Sequence, residues 1–117
     1  MNTQPKEIRL YRTQDGLCPF KEWMARLKDN EAEMRIDVRL ARLELSNPGD
    51  VKSVGEGVSE LRIDYGPGYR VYFGQVGAAV IILLCAGSKR TQAADIKRAK
   101  KYWDDYQQRI ANSEAQQ

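Results

Sequence analysis

Residues 58–92, V-S-E-L-R-I-D-Y-G-P-G-Y-R-V-Y-F-G-Q-V-G-A-A-V-I-I-L-L-C-A-G-S-K-R-T-Q, decide how the chain folds. Apolar/polar alternations flank Gly66-Pro67-Gly68, which predicts two antiparallel strands joined at that turn. With those three residues as the turn, Leu61 faces Phe73, Ile63 faces Val71 and Tyr65 faces Tyr69 on one apolar side. The other side then pairs Glu60 with Gly74, Arg62 with Tyr72 and Asp64 with Arg70, because directly opposed residues share a face. A two-residue turn would set Arg70 against Ile63 and break the binary pattern, so it is rejected. Val80 to Cys85 is the continuous apolar run of a central strand. Lys89-Arg90 follow it as a basic loop.

Outward from this core, Glu7 to Arg12 (E-I-R-L-Y-R) alternates and reads as a first strand, followed by a turn at Gln14-Asp15-Gly16. Pro19 suits the first position of a helix whose apolar stripe is Phe20, Trp23, Met24 and Leu27. A second helix begins at Asn30, with Glu33 completing a capping-box spacing, and runs to about Ser46 before Pro48-Gly49. It carries two opposed apolar stripes: Ile36, Leu40 and Leu43; and Met34, Val38, Ala41 and Leu45. The first is expected on the sheet and the second on the first helix, with a second protein as the alternative occupant. Arg35, Arg39 and Arg42 line one flank of this helix; Glu33, Asp37 and Glu44 line the other. Asp50 to Gly57 reads as a loop. Thr91 caps a last helix with Ile96, Ala99, Trp103, Tyr106 and Ile110 on one face, and Ala111 to Gln117 reads as a polar tail. The expected order is β-α-α-β-β-β-α, an α+β fold on a mainly antiparallel four-stranded sheet. One domain is expected over residues 1–117, with its core at about 6–110 and loose polar ends.

The chain has 117 residues and a formal net charge of +3, which permits a polyanionic partner without demanding one. It contains no histidine, which excludes imidazole acid/base catalysis, histidine-activated nucleophiles and histidine metal sites. Cys18 and Cys85 form no metal-ligand or CxxC spacing, and Cys85 closes an apolar strand, so reduced, buried thiols are expected. No metal or cofactor is expected. The pattern of a signal peptide is lacking, and the longest apolar run, Ala78 to Ala86, is too short for a bilayer. A soluble, cytoplasmic protein without a membrane partner follows as the expectation.

The residues able to do chemistry are therefore cations and tyrosines. Arg62 and Arg70 come from the polar side of the hairpin, and Lys89 and Arg90 from the loop after the last strand. If these strands adjoin, the four meet at one end of the sheet, where they can bind phosphate through charge-assisted hydrogen bonds and stabilise a phosphoryl transition state. RNA supplies its own nucleophile, the 2′-hydroxyl, and a lysine crowded by arginines has a lowered pKa and can accept its proton. Plainer readings stand beside this one. Asp64 and Arg70 read equally as a cross-strand ion pair, and Arg62 beside Tyr72 as a cation–π contact. Lys97, Arg98 and Lys101 read as a solvated helix flank. Tyr102 and Trp103 read as core or edge aromatics before they read as base-stacking platforms.

E-L-R-I-D-Y-G-P-G-Y-R-V-Y-F followed by I-I-L-L-C-A-G-S-K-R-T-Q-A-A-D-I-K-R-A-K-K-Y resembles the HigB-like "addiction module killer" branch of the RelE/ParE toxin superfamily. The likeness is most specific from Val58 to Tyr102 and extends more loosely to the first strand, to F-K-E-W-M and to the helical pair. It implies a type II toxin–antitoxin toxin acting as a ribosome-dependent mRNA interferase, a metal-independent endoribonuclease that arrests translation. By position, Arg70 matches an arginine that holds the scissile phosphate, Arg62 a basic residue on the paired strand, and Lys89 and Arg90 a segment supplying another catalytic arginine. Tyr72, Lys97, Lys101 and Tyr102 are the weaker substrate-binding candidates. Glu60 stands where some active relatives carry a lysine, and Ile96 where many carry a tyrosine. The implied partners are a HigA-like helix-turn-helix antitoxin, the ribosome and mRNA, with DNA reached only through the antitoxin. The alternatives within the superfamily are a ParE-type DNA gyrase inhibitor and an inactive member that only binds its antitoxin.

Overall fold

In the computed structural model, which describes residues 4–115, the chain runs β1 (Glu7–Leu10), α1 (Pro19–Leu27), α2 (Asn30–Glu44), β2 (Val51–Gly55), β3 (Val58–Ile63), β4 (Tyr69–Val76), β5 (Val80–Ser88) and α3 (Gln92–Ala115). A 3-10 turn, Lys89–Thr91, leads into α3. The five strands lie in the order β1-β5-β4-β3-β2. All neighbours are antiparallel except β1 and β5, which run parallel from Glu7 opposite Val80 to Leu10 opposite Leu83.

The expectation of a four-stranded, mainly antiparallel sheet in the order β-α-α-β-β-β-α is therefore corrected. The sheet is five-stranded and mixed, and the order is β-α-α-β-β-β-β-α. The added strand is β2, read from the sequence as a loop. Val51 packs toward one face of the sheet and Val54, three residues on, toward the other, as strict alternation requires, and a bulge between Ser53 and Gly55 then ends the regular pairing. Two apolar residues three apart give no period-two signal. The tight turn into β3 is Glu56-Gly57, with φ of +56° and +83°, the backbone that lets a two-residue hairpin follow the strand twist.

The hairpin of β3 and β4 forms, but its register is also corrected. Leu61 pairs with Val71, Ile63 with Tyr69, Glu60 with Tyr72 and Arg62 with Arg70. The loop is Asp64 to Gly68, five residues rather than three, closed by a hydrogen bond from the Gly68 N–H to the Tyr65 carbonyl at 3.0 Å. A shift of two residues keeps every side chain on its expected face while changing every partner, so the binary pattern could not detect it. Asp64 and Arg70 are not cross-strand partners, and neither are Arg62 and Tyr72.

Each face of the sheet carries its own apolar cluster. Leu61, Ile63, Val71, Phe73, Ile81 and Leu83 pack with Phe20 of α1 and with Ala32, Ile36 and Leu43 of α2. On the other face Val58, Tyr72, Ile82, Leu84 and Cys85 pack beneath Ala99 and Trp103 of α3. Coverage on both sides explains why β5 is apolar throughout. Gly74 shows how closely α3 seats: a Cβ there would lie 2.4 Å from atoms of the Trp103 ring. Both cysteines are buried and free, and burial pushes the Cys85 thiol up to about 12.

The helices depart from expectation in three places. Asp29, not Asn30, is the N-cap of α2, its carboxylate accepting from the Ala32 N–H at 3.1 Å. The outer stripe of α2 does not meet α1: Met34, Val38 and Leu45 are 61%, 48% and 66% exposed. Residues from Ala111 continue α3 to Ala115 rather than forming a loose tail. Of the ends expected to be loose, residues 1–3 and 116–117 lie outside the described residues. No helix among the described residues is long and apolar enough to cross a membrane.

Candidate functional site

Strand β3 ends, β4 begins and β5 ends at the same edge of the sheet, so Arg62, Arg70 and the Lys89-Arg90 turn gather at one end. Arg70 lies directly opposite Arg62 on one side and opposite Gly87 on the other. The Lys89 N–H donates to the Gly68 carbonyl at 2.7 Å, which ties the basic turn to the hairpin tip. Lys89 and Arg90 are exposed, while the Arg70 side chain is only 11% exposed and that of Arg62 is 34% exposed.

Two guanidiniums directly opposed on one face repel each other. The compensation is Glu60, two residues before Arg62 and completely buried. Its carboxylate accepts from Arg62 Nε at 2.9 Å, from Gln92 Nε2 at 2.9 Å and from the Tyr72 hydroxyl at 3.1 Å. Arg70 Nε stands 3.5 Å away. Burial by itself would push the Glu60 carboxyl up. The donors from Arg62, Gln92 and Tyr72, with the charge of Arg70, outweigh it and hold the group below the usual carboxylate range. Arg70 remains short of partners: its Nε and Nη1 are buried and make no hydrogen bond.

The basic turn is anchored from the helix side. Asp95 is buried at the start of α3 and accepts from the Thr91 hydroxyl at 2.5 Å, while Arg98 stands 3.5 Å from its other oxygen. Thr91 in turn accepts from the Ser88 N–H at 3.3 Å. The cap therefore falls to Ser88 rather than to Thr91, whose hydroxyl serves the Ser88 N–H and Asp95. Gly87 is the residue that lets Asp95 reach this position, since a Cβ on it would fall 1.8 Å from Asp95 Oδ2.

Of the weaker candidates, Tyr72 alone belongs to this cluster. Tyr72 is fully buried, and burial with the adjacent Glu60 charge raises its pKa steeply, so its hydroxyl serves Glu60 rather than a ligand. Tyr102 projects from the opposite flank of α3, stacks on Tyr11 at 4.9 Å and lines a cleft with Trp23, Cys85 and Arg98. Lys97 and Lys101 line a shallow groove of about 370 Å³ with Lys100, Glu56 and Asp104, on the flank beside the β2–β3 turn. None of these three joins the arginine pair.

Sequence reasoning missed Glu60, Gln92, Asp95 and Arg39 as parts of the site. Arg39 leaves its helix flank to donate to the Arg62 and Pro48 carbonyls, fixing the end of β3 from the other face of the sheet. One signal was present: Glu60 and Arg62 are two apart on a strand, hence on one face within reach of each other. Gln92 and Asp95 carried no such signal, because their roles depend on where α3 lands. Among the described residues, no group of three or more His, Cys, Asp or Glu side chains is arranged to hold a metal ion.

No family model matches the chain. A protein of Haemophilus influenzae described only as uncharacterized is 49% identical over 81 residues, covering 69% of this chain and 82% of that protein. At that identity and coverage, the chain belongs to the same protein family as the Haemophilus influenzae protein.

Proposed function

We propose that this protein is the toxin of a type II toxin–antitoxin system in the cytoplasm, acting as a ribosome-dependent mRNA interferase. The observation that carries the reading is the arginine pair: Arg62 and Arg70 directly opposed at the sheet end, with Lys89 and Arg90 on the adjoining turn. The resemblance of residues 58–102 to HigB-like toxins supports the same reading. In the proposed reaction the 2′-hydroxyl of the message attacks the neighbouring phosphorus and the 5′-oxygen leaves, giving a 2′,3′-cyclic phosphate and a 5′-hydroxyl. Arg70 and Arg62 stabilise the charge that grows on the phosphoryl oxygens, and Lys89 and Arg90 hold the flanking backbone. A HigA-like antitoxin is the proposed partner, with the exposed Met34-Val38 stripe of α2 as its contact surface and DNA bound only through it.

A second reading, an inactive member that binds only its antitoxin, is favoured by one feature. Glu60 removes one positive charge from the cluster, and Tyr72 is spent on Glu60. Induction of the wild type in cells without antitoxin, with mapping of mRNA 5′ ends, separates the two. In-frame cuts in translated messages, absent for the exposed-residue variants Arg90→Ala and Lys89→Ala, support the nuclease. Growth arrest with intact mRNA points to gyrase, and no arrest to the binding-only protein.

A further inference from the structure

Glu60 is the one fully buried carboxylate among the described residues, and it touches Arg62, Arg70 and Tyr72 of the hairpin and Gln92 of α3. A lone carboxylate in a buried position would take a proton; this one is held ionised by two cations and two neutral donors. Its two oxygens divide the work. Oε1 takes Arg62 Nε, while Oε2 takes Tyr72 and Gln92 and faces Arg70 Nε. Both guanidiniums thus turn their Nε edge inward to the same group. Their register puts them side by side on adjacent strands, where without an intervening anion they would swing apart. The buried Arg70 nitrogens that make no hydrogen bond mark the pair as short of one acceptor.

We propose that Glu60 is the positioning residue of this site: one buried carboxylate clamps Arg62 and Arg70 in parallel, so that the pair presents a single anion-binding edge sized for one phosphate. Glu60 itself touches no substrate. It acts through the two arginines, and through Gln92 it couples their placement to the start of α3. The inference rests on the nuclease reading only for its activity arm; the clamp itself stands on geometry.

The test uses the full chain labelled with nitrogen-15, with the arginine Nε–H signals assigned through Arg62→Lys and Arg70→Lys. In the wild type both signals are expected to be sharp, slow to exchange with water and shifted together by inorganic phosphate. In Glu60→Gln, which keeps size and loses charge, both are expected to exchange at least tenfold faster and to lose their joint response. Glu60→Asp, which keeps the charge but withdraws it by one methylene, serves where Glu60→Gln fails to fold and is expected to behave the same way. If ribosome-bound mRNA is cut, the folded variants should lose tenfold or more in kcat with KM within about threefold, since positioning acts on the transition state. Freely exchanging Nε protons in the wild type would overturn the proposal, as would variants whose exchange and phosphate response match wild type. Failure of the wild type to cut RNA would sink the nuclease reading alone, because the exchange measurement still decides on the clamp.

Discussion

Gly87→Ala is the smallest change that should unfasten the basic turn from α3. The new Cβ would stand 1.8 Å from Asp95 Oδ2, 2.7 Å from its Cγ and 2.8 Å from Thr91 Oγ1, distances at which atoms cannot remain. Asp95 must then rotate away and give up the Thr91 hydroxyl, while staying in a site where it is only 4% exposed. Overpacking of this kind costs about 1–3 kcal/mol. Losing a hydrogen bond to a charged group adds about 1.5–3 kcal/mol. The sum, about 2.5–6 kcal/mol, is a large share of the roughly 5–15 kcal/mol that holds a domain of this size together. Asp95→Ala removes the obstacle as well as the hydrogen bond, so the double variant should be more stable than the two single losses added together, by about 1 kcal/mol or more. Urea denaturation of the four proteins, with m-values compared, measures the whole cycle. Gly87→Ala within about 0.5 kcal/mol of wild type, or strict additivity with Asp95→Ala, would refute the reasoning.

Other predictions follow from the same geometry. Trp103→Ala strips the ring that α3 seats over Gly74 and should cost about 3–5 kcal/mol in the same denaturation assay. Asp29→Ala removes the observed N-cap of α2 and should cost about 1 kcal/mol, whereas Asn30→Ala should be nearly neutral; equal effects would return the cap to Asn30. Glu60 is held below its ordinary value of 4.5, so its stabilisation is complete above that pH and is lost as the pH falls through the lower folded value. Stability of Glu60→Gln should accordingly fall less steeply than that of wild type between neutral pH and pH 3, a comparison made by denaturation at each pH. Met34→Asp with Val38→Asp should leave stability within about 0.5 kcal/mol and abolish antitoxin binding by calorimetry; undiminished affinity in the folded variant would remove α2 from the interface.

Much of the fold was legible because β3 and β4 carry their faces in their alternation, β5 reads as a central strand from its continuous apolar run, and α1 and α3 carry single apolar stripes. What was illegible has physical causes. A hairpin shifted by two residues presents an identical binary pattern, so only the loop geometry at Asp64 to Gly68 could choose Arg62 opposite Arg70. β2 has one apolar residue for each face, Val51 and Val54, and so shows no period, and the parallel pairing of β1 with β5 leaves no mark on either strand. For the site, residue type and strand membership offered Arg62, Arg70, Lys89 and Arg90 as a cluster on condition that their strands adjoin, a condition met by the pairing of β3 with β4 and of β4 with β5. They could not show that Glu60, opposite Tyr72 rather than Gly74, would sit beneath two of those cations. Nor could they separate Tyr102 from the cluster, since which flank of α3 faces β1 is decided by the seating of Trp103 over Gly74.

The proposed nuclease is tested by presenting a message in the ribosomal A site to the purified protein and reading the ends of any RNA produced. Attack by the 2′-hydroxyl should leave 5′-hydroxyl and 2′,3′-cyclic phosphate ends, with no cutting when the 2′-hydroxyl beside the scissile phosphate is replaced by hydrogen. A message left intact by folded protein, or cut to 5′-phosphate ends, would contradict it.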